Sequence, residues 1–489
     1  MLYFLGGIVL LIAGYFSYGK LVESIVGPDD RTVPAVSDAD GVDYIVLPKW
    51  KNMMIQLLNI AGIGPVIGVI IGIKFGELTF LIIPLGCIVA GATHDFLAGM
   101  MSIRDHGANL PKIIRDNLGN AYSKFFSWFT ILLLLLVVAV FINVPAKLID
   151  KSFLPDIAFF WWAVAIIFVY YIAATLFPVD KIIGMLYPFF AIMLLAGTAA
   201  LLVMLLVMGF RDPSVLHESA AFRERMFKPD DAPIIPLLFV TIACGIISGF
   251  HGTQSPIVAR TMKSEREARG TFYGMMIVEG IIAMVWAGAA LLIYNRFPEY
   301  MAQNPNTTLG CITTYMLGSW MGNLTVVAVV ILAITSGDTA LRSCRLSLSE
   351  MLNIKQSRIV NRILVSLPLI AAVAGLLWWS NASAKSFNYL WNYFAWGNQV
   401  LAASTLMAAS VWLYRQGKQA DIALIPGMFM TFIIVTYILW TSTAHKQAYG
   451  FGLPLGISIG AGIVVAVVFA IWVRHLGGIR NNLPESGGK

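Results

Sequence analysis

The chain has 489 residues, of which 58% are hydrophobic and 12% charged, with a mean hydropathy of +0.79. Soluble domains average about 25% charged residues, so this composition excludes a soluble enzyme, a disordered regulator and a nucleic-acid binder. The net charge of +7, from 33 Lys and Arg against 26 Asp and Glu, reports orientation in a bilayer rather than an anionic partner.

Thirteen apolar segments follow one another at 2–20, 51–73, 78–102, 125–147, 157–177, 182–210, 234–252, 271–294, 319–341, 359–379, 388–413, 421–442 and 451–473. Each is close to the roughly 20 residues that span a bilayer as a helix. Helices are expected because lipid offers no partner to backbone N–H and C=O groups. The segments are too long and too uniformly apolar for the alternating strands of an outer-membrane barrel. The first lacks the basic start and the cleavage site of a signal peptide, so it is expected to be a span. With the N-terminus outside, 23 Lys and Arg residues fall on the inner side and 10 on the outer. That bias predicts N-outside and C-inside.

Segment one is followed by the loop 21–50, whose five aspartates and several Gly and Pro residues read as a solvated connection. Segment two contains Ile60-Ala61-Gly62-Ile63-Gly64-Pro65-Val66-Ile67-Gly68. Proline removes an amide donor and clashes one turn back, and glycine weakens a helix. A break is expected at Gly62, Gly64 and Pro65. Segment three carries Thr93-His94-Asp95. Ionisable groups inside a membrane are expensive and therefore functional candidates, and histidine is the side chain most easily tuned across neutral pH.

Segment seven reads Ile242-Ala243-Cys244-Gly245-Ile246-Ile247-Ser248-Gly249-Phe250-His251-Gly252. It is interrupted like segment two, opens similarly, and runs in the opposite direction. Two five-helix repeats of inverted topology follow from this, each opening with a broken helix. The expected organisation is a first helix and loop (1–50), repeat one (51–210), an external loop (211–233), repeat two (234–413), and two peripheral helices with a tail (414–489). The connection 263–269 reads as solvated.

Segment eight holds Glu279 among apolar residues, which must be paired, protonated or facing a cavity. Segment nine holds Thr335-Ser336-Gly337-Asp338-Thr339 with Arg342 one turn on. Asp338 and Arg342 are spaced to pair along a helix face. The Thr335, Ser336 and Thr339 oxygens suit a hard cation. Segment eleven carries Asn388, Trp391, Asn392, Trp396, Asn398 and Gln399, either interhelical glue or the lining of a polar solute's site. The four cysteines show no metal or disulfide spacing. No phosphate loop, HExxH or nucleophile elbow is present, which disfavours an ATP-driven pump and an enzyme.

The stretches Ile60–Gly68, Gly91–Phe96, Thr241–His251, Asp338 with Arg342 and Arg345, and Gly397–Ala403 together resemble the carbon starvation protein A family of bacterial inner-membrane transporters. The resemblance runs from about residue 31 to 410. His94 stands where many members carry Gln. The resemblance implies a LeuT-like five-plus-five core with one helix before it and two after. It also implies nutrient uptake during carbon limitation, with pyruvate–proton symport and peptide uptake as the associated activities.

The expectation is an all-α carrier importing a small carboxylate, pyruvate first, by symport with H⁺ or Na⁺ and without a cofactor or resident metal. Peptide uptake is the alternative, and a passive channel a distant one. Gly62, Gly64 and Pro65 would shape one half-site, and Gly245, Ser248, Gly249 and His251 the other. Freed amides at the breaks would receive the carboxylate, with Asn392, Trp396, Asn398 and Gln399 as polar contacts. His94, Asp95, Glu279, Thr335, Ser336, Asp338, Thr339 and Arg342 would carry or organise the coupling charge. Partners would be the substrate and the bilayer, and the peripheral helices leave surface for a homo-oligomer.

Overall fold

The computed structural model describes residues 1–153, 159–176, 179–445 and 449–479, without the side chains of 151–153, 179–186, 384, 385 and 388. Among the described residues there is no β-strand, and a helix stands at each of the thirteen apolar segments. We label them α1 (Leu2–Val26), α2 (Lys49–Ile60 with Gly64–Phe75), α3 (Thr79–Arg104), α4 (Asn120–Phe153), α5 (Phe160–Leu176), α6 (Val179–Arg211), α7 (Ile234–Ala259), α8 (Glu265–Arg296), α9 (Pro305–Met351), α10 (Ile359–Ser380), α11 (Ala384–Tyr414), α12 (Asp421–Trp440) and α13 (Leu455–Ile479).

Among the described residues, ten helices are long and apolar enough to cross a membrane, and eleven when the bent pair in α2 counts as one span. The sequence count of thirteen includes two more. α5 has 17 residues, and the apolar run of α11 is interrupted by Asn392, Asn398 and Gln399.

Burial separates core from periphery. The apolar window of α8 is 89% buried and that of α7 78%, whereas those of α1 and α13 are each 28% buried. The exposed faces carry Leu2, Val9, Trp161, Trp162, Phe189, Leu364, Val464 and Ile471, apolar side chains suited to acyl chains. α9 is longer than a span because Gly318 sits at φ 73°, ψ 177° and turns an outer arm away from the rest. That positive φ is open to glycine and strained for most other residues.

The chain alternates between two faces. One bears the loops 27–48, 105–119, 260–264 and 352–358, and we call it the strap face. The Met1 ammonium bonds the Leu216 carbonyl at the opposite face, and Arg474 pairs with Asp421 at the strap face. The expected tail 480–489 lies outside the described residues.

Candidate functional site

Two unwound segments define the centre. α2 stops at Ile60 and resumes at Gly64, bent by 53°. α7 unwinds after Gly245, and Ser248 is extended (φ −136°, ψ 124°) before helix resumes at Gly249. The breaks touch. A Cβ on Gly64 would stand 2.2 Å from Cys244 Cβ and 3.0 Å from the Cys244 carbonyl carbon, and one on Gly245 would stand 3.2 Å from Pro65 Cα. A Cβ on Gly91 of α3 would meet the Ile246 carbonyl oxygen at 2.0 Å. These glycines permit backbone contact, a role that helix-breaking alone did not reveal.

Beside the second break lies a buried quartet. His94 and Asp95 come from α3, His251 from α7 and Glu279 from α8, and all four are 0% exposed. His94 Nδ1 lies 2.8 Å from Asp95 Oδ1, and His251 Nδ1 lies 3.2 and 3.0 Å from Asp95 Oδ1 and Oδ2. An ionised Asp95 offers acceptors alone, so both imidazoles must carry their proton on Nδ1 to bond it. That leaves Nε2 of each ring as an acceptor. Neither Nε2 has a hydrogen-bond partner, nor does either Glu279 oxygen. His251 Nε2 stands 3.8 Å from Glu279 Oε2. A buried carboxylate facing a buried imine nitrogen, with neither hydrogen-bonded, is costly. One proton between them removes the conflict: it makes either a neutral Glu279 or an imidazolium, and a small approach turns the gap into a hydrogen bond. The histidines spend their Nδ1 groups on Asp95. Among the described residues no set of three or more His, Cys, Asp or Glu side chains converges to hold a metal ion.

A second buried carboxylate, Asp338 on α9, is treated differently. Tyr170 Oη donates to Oδ2 at 2.6 Å, and the single proton of Tyr187 Oη faces two acceptors, Oδ1 and the Thr335 carbonyl at 2.8 Å. Arg342 turns to Asp43 at 2.9 Å and to the Ala174 carbonyl. The i,i+4 spacing therefore marks two centres rather than one isolated pair. Ser336 Oγ donates to the Leu58 carbonyl at 3.0 Å, and Thr339 Oγ1 bonds Gln254 Oε1 at 3.0 Å. Gln254 Nε2 reaches the Asn59 carbonyl at 2.9 Å. Thr335 Oγ1 donates to Leu332 within its helix. α9 is thus tied to the last turn before the first break.

The α11 residues divide. Asn398 Oδ1 accepts from Phe250 N at 2.6 Å while its Nδ2 donates to Ser248 Oγ at 2.6 Å. It caps the half-helix that resumes at Gly249 and takes up the Phe250 amide, one of the freed donors that the sequence reading reserved for a carboxylate. Gln399 Nε2 binds the Val240 and Ala395 carbonyls. Trp396 Nε1 donates to Ile434 of α12 at 3.0 Å, as helix-to-helix glue. Asn392 is half-buried on the same helix, and the Asn388 side chain lies outside the described residues.

Several site residues escaped the sequence reading. Tyr170 and Tyr187 sit in segments read only as apolar. Gln56 and Asn59 are fully buried before the first break, and neither side-chain amide has a partner. Two polar side chains in an apolar span were a usable signal.

The connections read as solvated are packed. In the loop after α1, Val33, Ala35 and Leu47 are buried and Asp43 is 4% exposed, against Arg342 and, at 3.8 Å, Arg345. Burial pushes the Asp43 carboxyl up, but the charges of Arg342, Arg345 and Arg260 outweigh it and hold it below the ordinary carboxylate range. In 263–269, Glu265 is fully buried. It pairs with Arg104 at 3.0 Å and Arg31 at 3.4 Å and accepts from the Asp29 amide. Loops are usually solvated because their polar groups need partners, and these found partners in buried charges.

Comparison with known proteins agrees with this architecture. Residues 1–165, 160–316 and 299–437 match the family described as carbon starvation protein CstA. An uncharacterized membrane protein of Haemophilus influenzae is 40% identical over 347 residues, 60% of this chain and 92% of that one. The peptide transporter CstA of Campylobacter jejuni is 24% identical over 62% of this chain and 51% of its own length. The pyruvate/proton symporter BtsT of Escherichia coli is 24% identical over 54% and 45%. The chain thus spans about half the length of these named transporters. Among solved structures, a manganese transporter of Eremococcus coleocola superposes with a TM-score of 0.58 at 15% identity, covering 90% of this chain and 98% of that one. MhsT in complex with L-phenylalanine gives 0.55 at 13%, over 88% and 99%. These likenesses establish the LeuT-like fold, and the family match shows that this chain belongs to the carbon starvation protein CstA family.

Proposed function

We propose that this protein is a secondary transporter that carries a small carboxylate, pyruvate first, across the cytoplasmic membrane with a proton, its strap face inside. The observation that carries the reading is the quartet. His251 and Glu279 face one another, buried and unpartnered, across a gap that one proton closes. Such a pair takes a proton from one side and gives it to the other when the helices bearing it shift. The name of the Escherichia coli relative supports both the solute and the ion. The bare amides of Gln56 and Asn59, one turn or less before the first break, supply donors for a carboxylate.

Labelled pyruvate uptake into proteoliposomes tests this, with pH and Na⁺ gradients imposed separately. Accumulation under a pH gradient alone is expected. Accumulation under Na⁺ alone would move the coupling site to Ser336, whose hydroxyl lies against the Leu58 carbonyl beside the first break.

Peptide uptake is the second reading. The name of the Campylobacter jejuni relative favours it, and so do the acceptor oxygens of Gln56 and Asn59, which would suit a peptide's ammonium. Inhibition of pyruvate uptake by dipeptides, followed by direct dipeptide uptake, separates the two.

A further inference from the structure

The strap face gathers four buried guanidinium groups. Arg260, Arg342, Arg345 and Arg362 are 5%, 1%, 0% and 6% exposed. Among the described residues, the buried carboxylate that pairs with Arg342 and Arg345 is Asp43, carried by the strap 38–48. Arg345 donates from Nη1 to Gln356 at 2.6 Å, but its Nε and Nη2 have no hydrogen-bond partner. A buried guanidinium with unmet donors is costly and matches a carboxylate's two oxygens in geometry and charge.

A cavity of about 710 Å³ opens beside this recess, lined in part by Asp43, Tyr44, Arg260 and Gln356. Its other carboxylates are engaged elsewhere. Asp40 accepts the amides of Val42, Asp43 and Tyr44. Asp105 binds Lys112, and Glu350 accepts from Asn109 at 2.5 Å. The strap is seated by side-chain and main-chain bonds: Asn52 Nδ2 donates to Leu47 O at 3.3 Å, Tyr44 Oη donates to His106 O at 3.0 Å, and Asp38 pairs with His106. Ile45 N donates to Arg260 O at 3.2 Å and Leu47 N to Thr261 O at 2.9 Å, and the Tyr44 ring lies 5.0 Å from the Arg260 guanidinium.

We propose that the arginine recess capped by Asp43 is an anion site on the strap face. The transported carboxylate occupies it on passing between the core and the cavity, and Asp43 is its tethered competitor. Asp43 satisfies the arginines while the strap is seated, and a free carboxylate replaces it as the strap lifts. The proposal rests on the carboxylate reading for its occupant but concerns a different site.

The test follows strap movement rather than transport. Leu47 is 7% exposed on the strap. Leu47→Cys in the full chain is labelled with a membrane-impermeant maleimide applied at the strap face of oriented vesicles, with the unsubstituted chain as background. Pyruvate should speed labelling at least threefold, methyl pyruvate should not, and Arg345→Gln should abolish the response. Arg345→Lys should keep part of it, which guards against a folding defect in the Gln variant. An unchanged rate with pyruvate, in vesicles that carry out pyruvate exchange, would overturn the anion site and leave the transport reading standing. An equal response to the uncharged ester would overturn it as well. A pyruvate response in vesicles that transport no pyruvate would support the site and count against the transport reading.

Discussion

Two carboxylate centres are buried within the same fold, and they are satisfied in opposite ways. Asp338 receives hydroxyls from Tyr170 and Tyr187, neutral donors that keep their protons near neutral pH. Asp95 receives two imidazoles, and one of these faces the unpartnered Glu279. The first centre has a hydroxyl against each carboxylate oxygen and joins α5, α6 and α9. The second leaves both Glu279 oxygens and His251 Nε2 without a hydrogen-bond partner and joins α3, α7 and α8. Burial alone therefore does not separate the two centres, whereas the unpartnered Glu279 does, and the proposed coupling role rests on it.

The largest effect is expected at the Glu279 centre. A gradient of one pH unit, worth about 1.4 kcal/mol per proton, sustains about tenfold accumulation in one-proton symport. Glu279→Gln should reduce that accumulation to simple equilibration with the medium, measured as labelled solute at steady state in proteoliposomes. Retained accumulation would break the contrast and return the coupling role to Asp338.

At the Asp338 centre the change should be in stability. Tyr187→Phe removes a donor from a buried carboxylate and should cost about 1–3 kcal/mol, read as a lowered thermal midpoint in detergent, with accumulation per proton retained. Loss of coupling in a protein of unchanged midpoint would reverse the assignment of the two centres.

The crossing of the breaks sharpens the comparison further. Gly64→Ala should destabilise by about 1–3 kcal/mol through overpacking, because the new methyl meets Cys244. Gly310→Ala, with nothing within 4 Å of the added carbon, should have no such effect. A neutral Gly64→Ala would mean that the breaks do not stay in contact.

The smallest change is expected at Asp43 near neutral pH. A carboxyl held below its ordinary range adds stability that is present above its unfolded pKa and lost as pH falls through the folded one. Maleimide labelling of Leu47→Cys, expressed relative to a free thiol at the same pH to cancel the loss of thiolate, should therefore stay slow from pH 7 to about pH 4, the ordinary carboxylate value, and rise only below it. Acceleration near pH 6 would mean that Asp43 is not held by the arginines.

Much of the fold was legible in the sequence, because lipid constrains a spanning segment to be long, apolar and helical. The two breaks were legible for the same reason, since Gly62, Gly64, Pro65, Gly245 and Gly249 stand out in an apolar run. His94, Asp95, His251 and Glu279 were each visible as polar residues in spans, but their convergence was not, because it depends on how three helices cross. Tyr170 and Tyr187 were invisible because tyrosine is common in membrane helices and its hydroxyl partner lies elsewhere in the chain. The connections carrying Asp43 and Glu265 were misread because charge in a loop normally signals water. Here it was matched by arginines more than 70 residues away in sequence.

The contact between Gly64 and Cys244 has a mechanical meaning. Each broken helix has an inner and an outer arm, and the two helices meet where both are unwound. In the proposed transport cycle a contact so placed would act as a fulcrum. A tilt that brought the arms together above it would spread them below, gearing the two sides in opposite senses. The residue that sets the gearing is the one with no side chain, since any added carbon would move the pivot and change the lever lengths on both sides.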